Sequence, residues 1–118
     1  MILKNKPAKH AKERSARRCS LVASAEVTEP HSGAKLTGRT SEIAVGGCYV
    51  DALNPLPEGT LVEVRILRDK GIFETKAKVV YSDHGFGMGL AFTEMSTDMR
   101  SLLEGWLVEI VSQLRPVS

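Results

Sequence analysis

Apolar and polar positions alternate in short stretches along most of this chain, and near the C-terminus the period changes once. Leu21-Val22-Ala23-Ser24-Ala25-Glu26-Val27 is β-prone, and Pro30-His31-Ser32-Gly33 reads as the turn that follows it. A second strand is expected from Lys35 to Ile43, broken by Gly46-Gly47, with a short third strand over Cys48-Tyr49-Val50. Asn54-Pro55-Leu56-Pro57-Glu58-Gly59 then imposes a loop through its prolines and glycine. Leu61 to Ile66 alternates strictly, setting Leu61, Glu63 and Arg65 on one face and Val62, Val64 and Ile66 on the other. A turn near Asp69-Lys70-Gly71 sends the chain back through Phe73 to Tyr81. Ser82-Asp83-His84-Gly85 is read as the next turn, and Phe86 to Phe92 as the last strand.

After Phe92 the apolar spacing becomes helical. Met99, Leu102, Leu103, Trp106, Leu107, Ile110, Val111 and Leu114 recur at three- and four-residue steps, one stripe of an amphipathic helix over about 97–115. Ser96 or Thr97 can cap its start, Asp98 favours the first turn, and Pro116 follows its end. About six hairpin-connected strands and one such helix predict an all-β fold: a six-stranded antiparallel β-barrel with a C-terminal amphipathic helix over one opening.

Length and charge refine this picture. At 118 residues the chain is the size of one domain. No apolar run approaches the roughly 20 residues that cross a bilayer, and Met1-Ile2-Leu3-Lys4 does not open a secretory signal, so a cytoplasmic protein with no membrane span is expected. Cys19 and Cys48 have no metal-ligand spacing and are expected to be reduced. His10, His31 and His84 are scattered over an arm and two turns, so neither a metal site nor a cofactor is expected. The net charge of +2 is unevenly distributed. Residues 1–18 carry Lys4, Lys6, Lys9, Lys12, Arg14, Arg17 and Arg18 against Glu13 alone, a net +6, which leaves −4 on the remainder. Residues 1–13 are too polar to offset their ordering entropy and are expected to form a flexible basic arm, with a single domain over 14–118. An anion would be met at the arm.

Two short patterns carry the candidate chemistry. Arg14-Ser15-Ala16-Arg17-Arg18 sets arginines four apart just before the first strand, and Glu42-Ile43-Ala44-Val45-Gly46-Gly47 runs a strand into a glycine corner. Together they resemble the RxxxR and [D/N]xSxxG motifs of PilZ domains, bacterial receptors for the second messenger cyclic di-GMP. Val79-Val80-Tyr81 and Gly87-Met88-Gly89-Leu90-Ala91-Phe92 are similar to the family's last hairpin. The resemblance spans roughly Glu13 to Val111 and implies a six-stranded barrel with a C-terminal helix. It implies ligand contacts from Arg14 and Arg18, with Arg17 as a nearby third, and from Glu42, Ala44, Gly46 and Gly47. Arginine forks pair bidentately with phosphate oxygens or guanine O6 and N7 and stack on bases. The family's acidic or amide residue accepts from the guanine edge, its serine donates, and its glycine admits close backbone approach. This chain departs from the pattern twice: Glu42 is one methylene longer than Asp, and Ala44 has no hydroxyl to donate. The departures weaken the expected binding by about 2–4 kcal/mol, or roughly 30- to 1,000-fold.

Other readings compete. Gly85, Gly87 and Gly89 lack the spacing and following helix of a dinucleotide loop. Alternation sets them on one face and Phe86, Met88 and Leu90 on the other, leaving a strip for a backbone, a packed side chain or a base, with packing favoured. No GxSxG, HExxH or Cys/His arrangement is present, Asp83 and Glu94 sit where solvation suffices, and no enzyme is expected. The reading that results is a stand-alone cyclic di-GMP adaptor signalling to an unidentified downstream protein. The alternative is a PilZ-fold interaction module that has lost the nucleotide. The +6 arm also suits a nucleic-acid or anionic surface, although aromatics at 5% offer no stacking platform, so specific nucleic-acid binding is not expected. The eight apolar residues of the stripe, with Val108 beside it, slightly exceed what a small barrel mouth needs. Some of Leu103, Leu107, Ile110 and Leu114 are therefore candidates for a partner surface, which allows a monomer or a weak dimer through the helix.

Overall fold

The computed structural model describes the backbone of residues 19–114 and the side chains of residues 20–112. The expected arm, Arg14, Arg17 and Arg18, and the side chain of Leu114 lie outside the described residues. Six strands, β1 (Cys19–Glu29), β2 (Ala34–Ala44), β3 (Gly47–Asp51), β4 (Leu61–Arg68), β5 (Gly71–Asp83) and β6 (Gly87–Glu94), precede one helix, α1 (Thr97–Leu114). Every pairing is antiparallel, and the order β1-β2-β3-β6-β5-β4 closes as β1 pairs with β4. Closure gives every strand a neighbour on both sides, although residues 34–38 of β2 and 71–75 of β5 extend past their second neighbour.

The hairpins follow local chemistry. Gly33 (φ 78°) closes the β1–β2 turn, where the Glu29 carboxylate accepts from the backbone N–H groups of His31 and Ser32 at 2.8 Å each. Asp69 (φ 52°) and Lys70 make the two-residue β4–β5 turn. The β5–β6 turn, expected over Ser82 to Gly85, occupies 84–86. β5 runs on through Ser82 and Asp83, and Phe86 belongs to the turn. Its N–H donates to the Asp83 carbonyl at 2.9 Å and its carbonyl accepts from Ala52 N–H at 3.0 Å. These bonds hold the backbone while the ring stands 70% exposed, so Phe86 does not share the buried face of Met88 and Leu90.

Inward positions of β4 (Val62, Val64, Ile66) meet Val27, Phe73, Val79 and Met88 in one core. Cys48 is part of it, free and buried, its thiol pushed up to about 12 by desolvation. α1 packs against β5 and β1. Ser96 caps it, its Oγ accepting from Met99 N–H at 3.1 Å, and Leu103, Trp106 and Ile110 point into the core. Leu103 and Ile110 are therefore taken up by the barrel and do not offer the partner surface considered for them. Each such side chain stabilises the docked helix by about 1.5–3 kcal/mol. Arg68 fastens the outside, 2.6 Å from Glu109 and 5.8 Å from the Trp106 ring centroid.

Candidate functional site

The corner between β2 and β3 starts from a break in alternation. Thr40 is buried and pairs with Val50, yet Glu42, not Ser41, pairs with Tyr49. A strict period of two would turn Glu42 inward with Thr40. One extra residue in β2 turns it outward instead. β1 is irregular beside it, between Ser20 and Ala23, and Thr40 Oγ1 donates to the Leu21 carbonyl at 2.9 Å across that gap.

A second bulge lies in β5. Val79 is buried and pairs with Leu90, while Gly89 pairs with Tyr81, so Val80 is the extra residue and Tyr81 turns outward. The two bulges bring Glu42, Tyr49, Gly89 and Tyr81 onto one outer row across β2, β3, β6 and β5. The next row is Arg39, Asp51, Gly87 and Asp83.

The tyrosine rings lie over the glycines. Tyr49 ring atoms sit 2.7–2.9 Å from where Gly87 would carry a Cβ, and the Tyr81 ring covers Gly89 in the same way. The ring centroids are 6.1 Å apart at an interplanar angle of 35°. Gly87 and Gly89 are therefore covered by packed side chains, whereas Gly85, expected on the same strip, lies in the turn at φ 88° with open space beside it.

Carboxylates of Glu42, Asp51 and Asp83 rim this platform, and Ser41 Oγ donates to Asp51 Oδ1 at 3.4 Å. The Tyr49 phenol is pushed up to about 12, first by partial burial and then by the neighbouring acids Asp83, Tyr81, Asp51 and Glu42. Ring faces with acceptors at their edge suit a planar group rich in N–H donors, such as a guanine edge or a guanidinium.

The remaining motif residues divide. Ala44 is 7% exposed and pairs with Gly47. Gly46 faces open space, and its carbonyl accepts from Phe92 N–H at 2.9 Å. Gly47 lies against the backbone of β6: a Cβ there would overlap the Leu90 carbonyl oxygen and stand 3.3 Å from Ala91 Cα. Its lack of a side chain serves strand pairing. Cys19 pairs with Ile43, so the chain enters β1 next to Glu42, and Arg18 is one peptide bond upstream.

Sequence reasoning missed Tyr49, Tyr81 and Asp51, and took Asp83 for a solvated turn residue. The available signal was Gly87-x-Gly89 with two tyrosines on flanking strands, which needs the strand order to be read. On the opposite face, a groove along β1, β4 and β5 holds Arg65, 2.7 Å from Glu74 and 3.7 Å from Glu26, and Lys76, 3.5 Å from Glu94. The groove's four carboxylates, Glu63 among them, outnumber these two cations, but its lining has no aromatic ring and forms no comparable platform.

A closed barrel capped by a helix, with a polar and aromatic outer face beside a glycine corner, defines a small binding module. Among the described residues no group of three or more His, Cys, Asp or Glu is placed to hold a metal ion, and no helix is long and apolar enough to cross a membrane. The PilZ domain model matches residues 12–109, and the chain belongs to the PilZ domain family. No curated protein matches it in sequence. In structure it is similar to the Bacillus subtilis inhibitor of motility MotI/DgrA, with a TM-score of 0.73 and 17% identity over 87% of this chain. It spans 53% of that protein's length. It is also similar to the PilZ domain of Escherichia coli YcgR with c-di-GMP, with a TM-score of 0.72 and 14% identity, covering 86% of this chain and 94% of that one. The Borreliella burgdorferi PlzA protein in complex with c-di-GMP matches with a TM-score of 0.52 and 12% identity over 99% of this chain and 60% of that one. Identities this low show a common fold.

Proposed function

We propose that this chain is a stand-alone PilZ-type adaptor that binds cyclic di-GMP where arm meets barrel and signals to a partner protein. The observation that carries the reading is the outward Glu42, set by a bulge beside the strand that Arg14, Arg17 and Arg18 immediately precede. In this reading the arginines take the phosphates and guanine edges. Glu42 accepts from a guanine, and the corner at Ala44, Gly46 and Gly47 lies against the ligand. Binding orders the arm, and the new surface is what the cytoplasmic partner reads. PilZ neighbours with c-di-GMP bound support the ligand class.

A second reading, a PilZ-fold interaction module without nucleotide, is favoured by two observations. Ala44 offers no hydroxyl, and Glu42, Asp51 and Asp83 set negative charge on the face an anion would approach. Calorimetric titration with cyclic di-GMP at moderate salt decides between them. Saturable heat that Arg14→Ala/Arg18→Ala abolishes supports the receptor. No heat at several hundred micromolar ligand retires it in favour of the interaction module.

A further inference from the structure

We propose that in the nucleotide-free protein the basic arm, residues 1–18, docks in cis on the outer face built from Tyr49, Tyr81, Glu42, Asp51 and Asp83. This concerns the chain without ligand: where it holds, nucleotide binding moves the arm from one seat to another and does not order it from a free state, while the binding of cyclic di-GMP itself is tested separately.

Three observations select the arm as occupant. The first is charge. The arm carries a net +6, and the face gathers three carboxylates around two phenol rings, with Arg39 beside Asp51 offsetting one of them. The raised Tyr49 pKa reports the same negative potential, because part of it comes from Asp83, Asp51 and Glu42.

The second is reach. Cys19 pairs with Ile43, so the arm enters beside Glu42 at the edge of the face. From β1 to Tyr81 the row crosses four strand spacings, about 19 Å. Arg18, Arg17 and Arg14 stand one, two and five residues upstream of Cys19, within about 3, 7 and 17 Å of it when extended. Arg17 and Arg18 therefore reach Glu42 and Tyr49, and Arg14 reaches Tyr81 and Asp83.

The third is shape. Rings laid over Gly87 and Gly89 leave flat faces outward, and carboxylates stand at their rim. A guanidinium stacks on such a face and donates sideways to such a rim. The tether favours this chain's own arm over that of a second copy, since a short linker gives an effective concentration of about millimolar. A nucleotide arriving at this face then competes with the carboxylates for the same arginines.

The test places a nitroxide at Ser15→Cys in a full-length Cys19→Ser background, in which buried Cys48 does not label. Amide broadening is compared at Tyr81 and at Leu67. Leu67 pairs with Ser24, one strand over and five residues along from Cys19, about 17 Å away, so a freely swinging arm broadens both alike. Docking is expected to broaden Tyr49, Gly89 and Tyr81 several-fold more than Leu67. The difference should vanish in Asp51→Asn/Asp83→Asn and, without any substitution on the face, at about 0.5 M salt. Equal broadening at Tyr81 and Leu67 overturns the proposal. So does broadening that appears only between isotope-labelled and spin-labelled copies, which would assign the face to a second chain.

Discussion

Replacing Gly47 with alanine separates two explanations of the motif glycine, because the structure assigns it to strand pairing while Gly46, beside it, faces open space. A carbon–oxygen contact needs about 3.3 Å, so a Cβ overlapping the Leu90 carbonyl must push β3 from β6 by on the order of 1 Å. The obstacle is backbone, which cannot rotate aside. Overpacking of this kind costs about 1–3 kcal/mol. Weakening one or two nearby ladder bonds, among them Phe92 N–H to Gly46 carbonyl, adds about 0.5–1.5 kcal/mol each. The expected total is about 1.5–6 kcal/mol, centred on about 2–4, out of a typical stability of about 5–15. For a domain of this size that central range lowers Tm by roughly 8–16 °C. Gly46→Ala adds a methyl to open space and should stay within about 0.5 kcal/mol of the parent. Thermal and urea denaturation of the two variants is the assay. If Gly47→Ala melts with the parent, the close approach of β3 and β6 is not what requires glycine there. If both variants keep their fold while only Gly47→Ala loses cyclic di-GMP, the glycine serves the ligand.

Three further substitutions probe the core and the outer face. Leu103→Ala removes a fully buried helix side chain and should cost about 2–5 kcal/mol in urea unfolding, whereas Val108→Ala, 67% exposed on the same helix, should change stability by under about 0.5. Equal effects would mean the helix docks through a different face. Thr40→Val keeps the shape but takes the donor from the Leu21 carbonyl beside the β1 irregularity, at an expected loss of about 1–3 kcal/mol. In a Tyr81→Phe background, spectrophotometric titration should show Tyr49 ionising above the ordinary value of about 10, because burial and the Asp83, Asp51 and Glu42 carboxylates remain. It should ionise below the value of about 12 to which Tyr81 also contributes. Because the folded value is the higher one, its contribution to stability is complete below the unfolded pKa and is lost as pH rises through the folded one. The loss is small, since the half-exposed ring is screened by solvent. Ionisation near pH 10 in the folded state would remove the negative field inferred for this face.

Several elements were legible because their signal is local. The alternation from Leu61 to Ile66 places Val62, Val64 and Ile66 inward as read, and the change to helical spacing after Phe92 marks α1 within a residue or two. The Gly87 and Gly89 strip was correctly read as a place for packing, without its occupants. The faces of Glu42 and Tyr81 were not legible. A single extra residue inverts every position after it, and nothing in Thr40-Ser41-Glu42 or Val79-Val80-Tyr81 announces the insertion. Gly47 was read as a glycine for ligand approach because the strand pressing on it, β6, lies more than 40 residues away in the chain.

The sequence by itself determined the strands, the capped helix, the motif resemblance that pointed to the PilZ family, and the contrast between a basic arm and a more acidic body. These rest on periodicity, composition and residue chemistry within one segment. Only the tertiary structure decided that β1 closes on β4, that bulges in β2 and β5 aim Glu42 and Tyr81 at one outer face, and that Tyr49 lies across Gly87 between three carboxylates. Those facts depend on the register between strands far apart in the chain. Register is settled by which pairing buries the whole core at once, a condition that no local stretch of sequence contains.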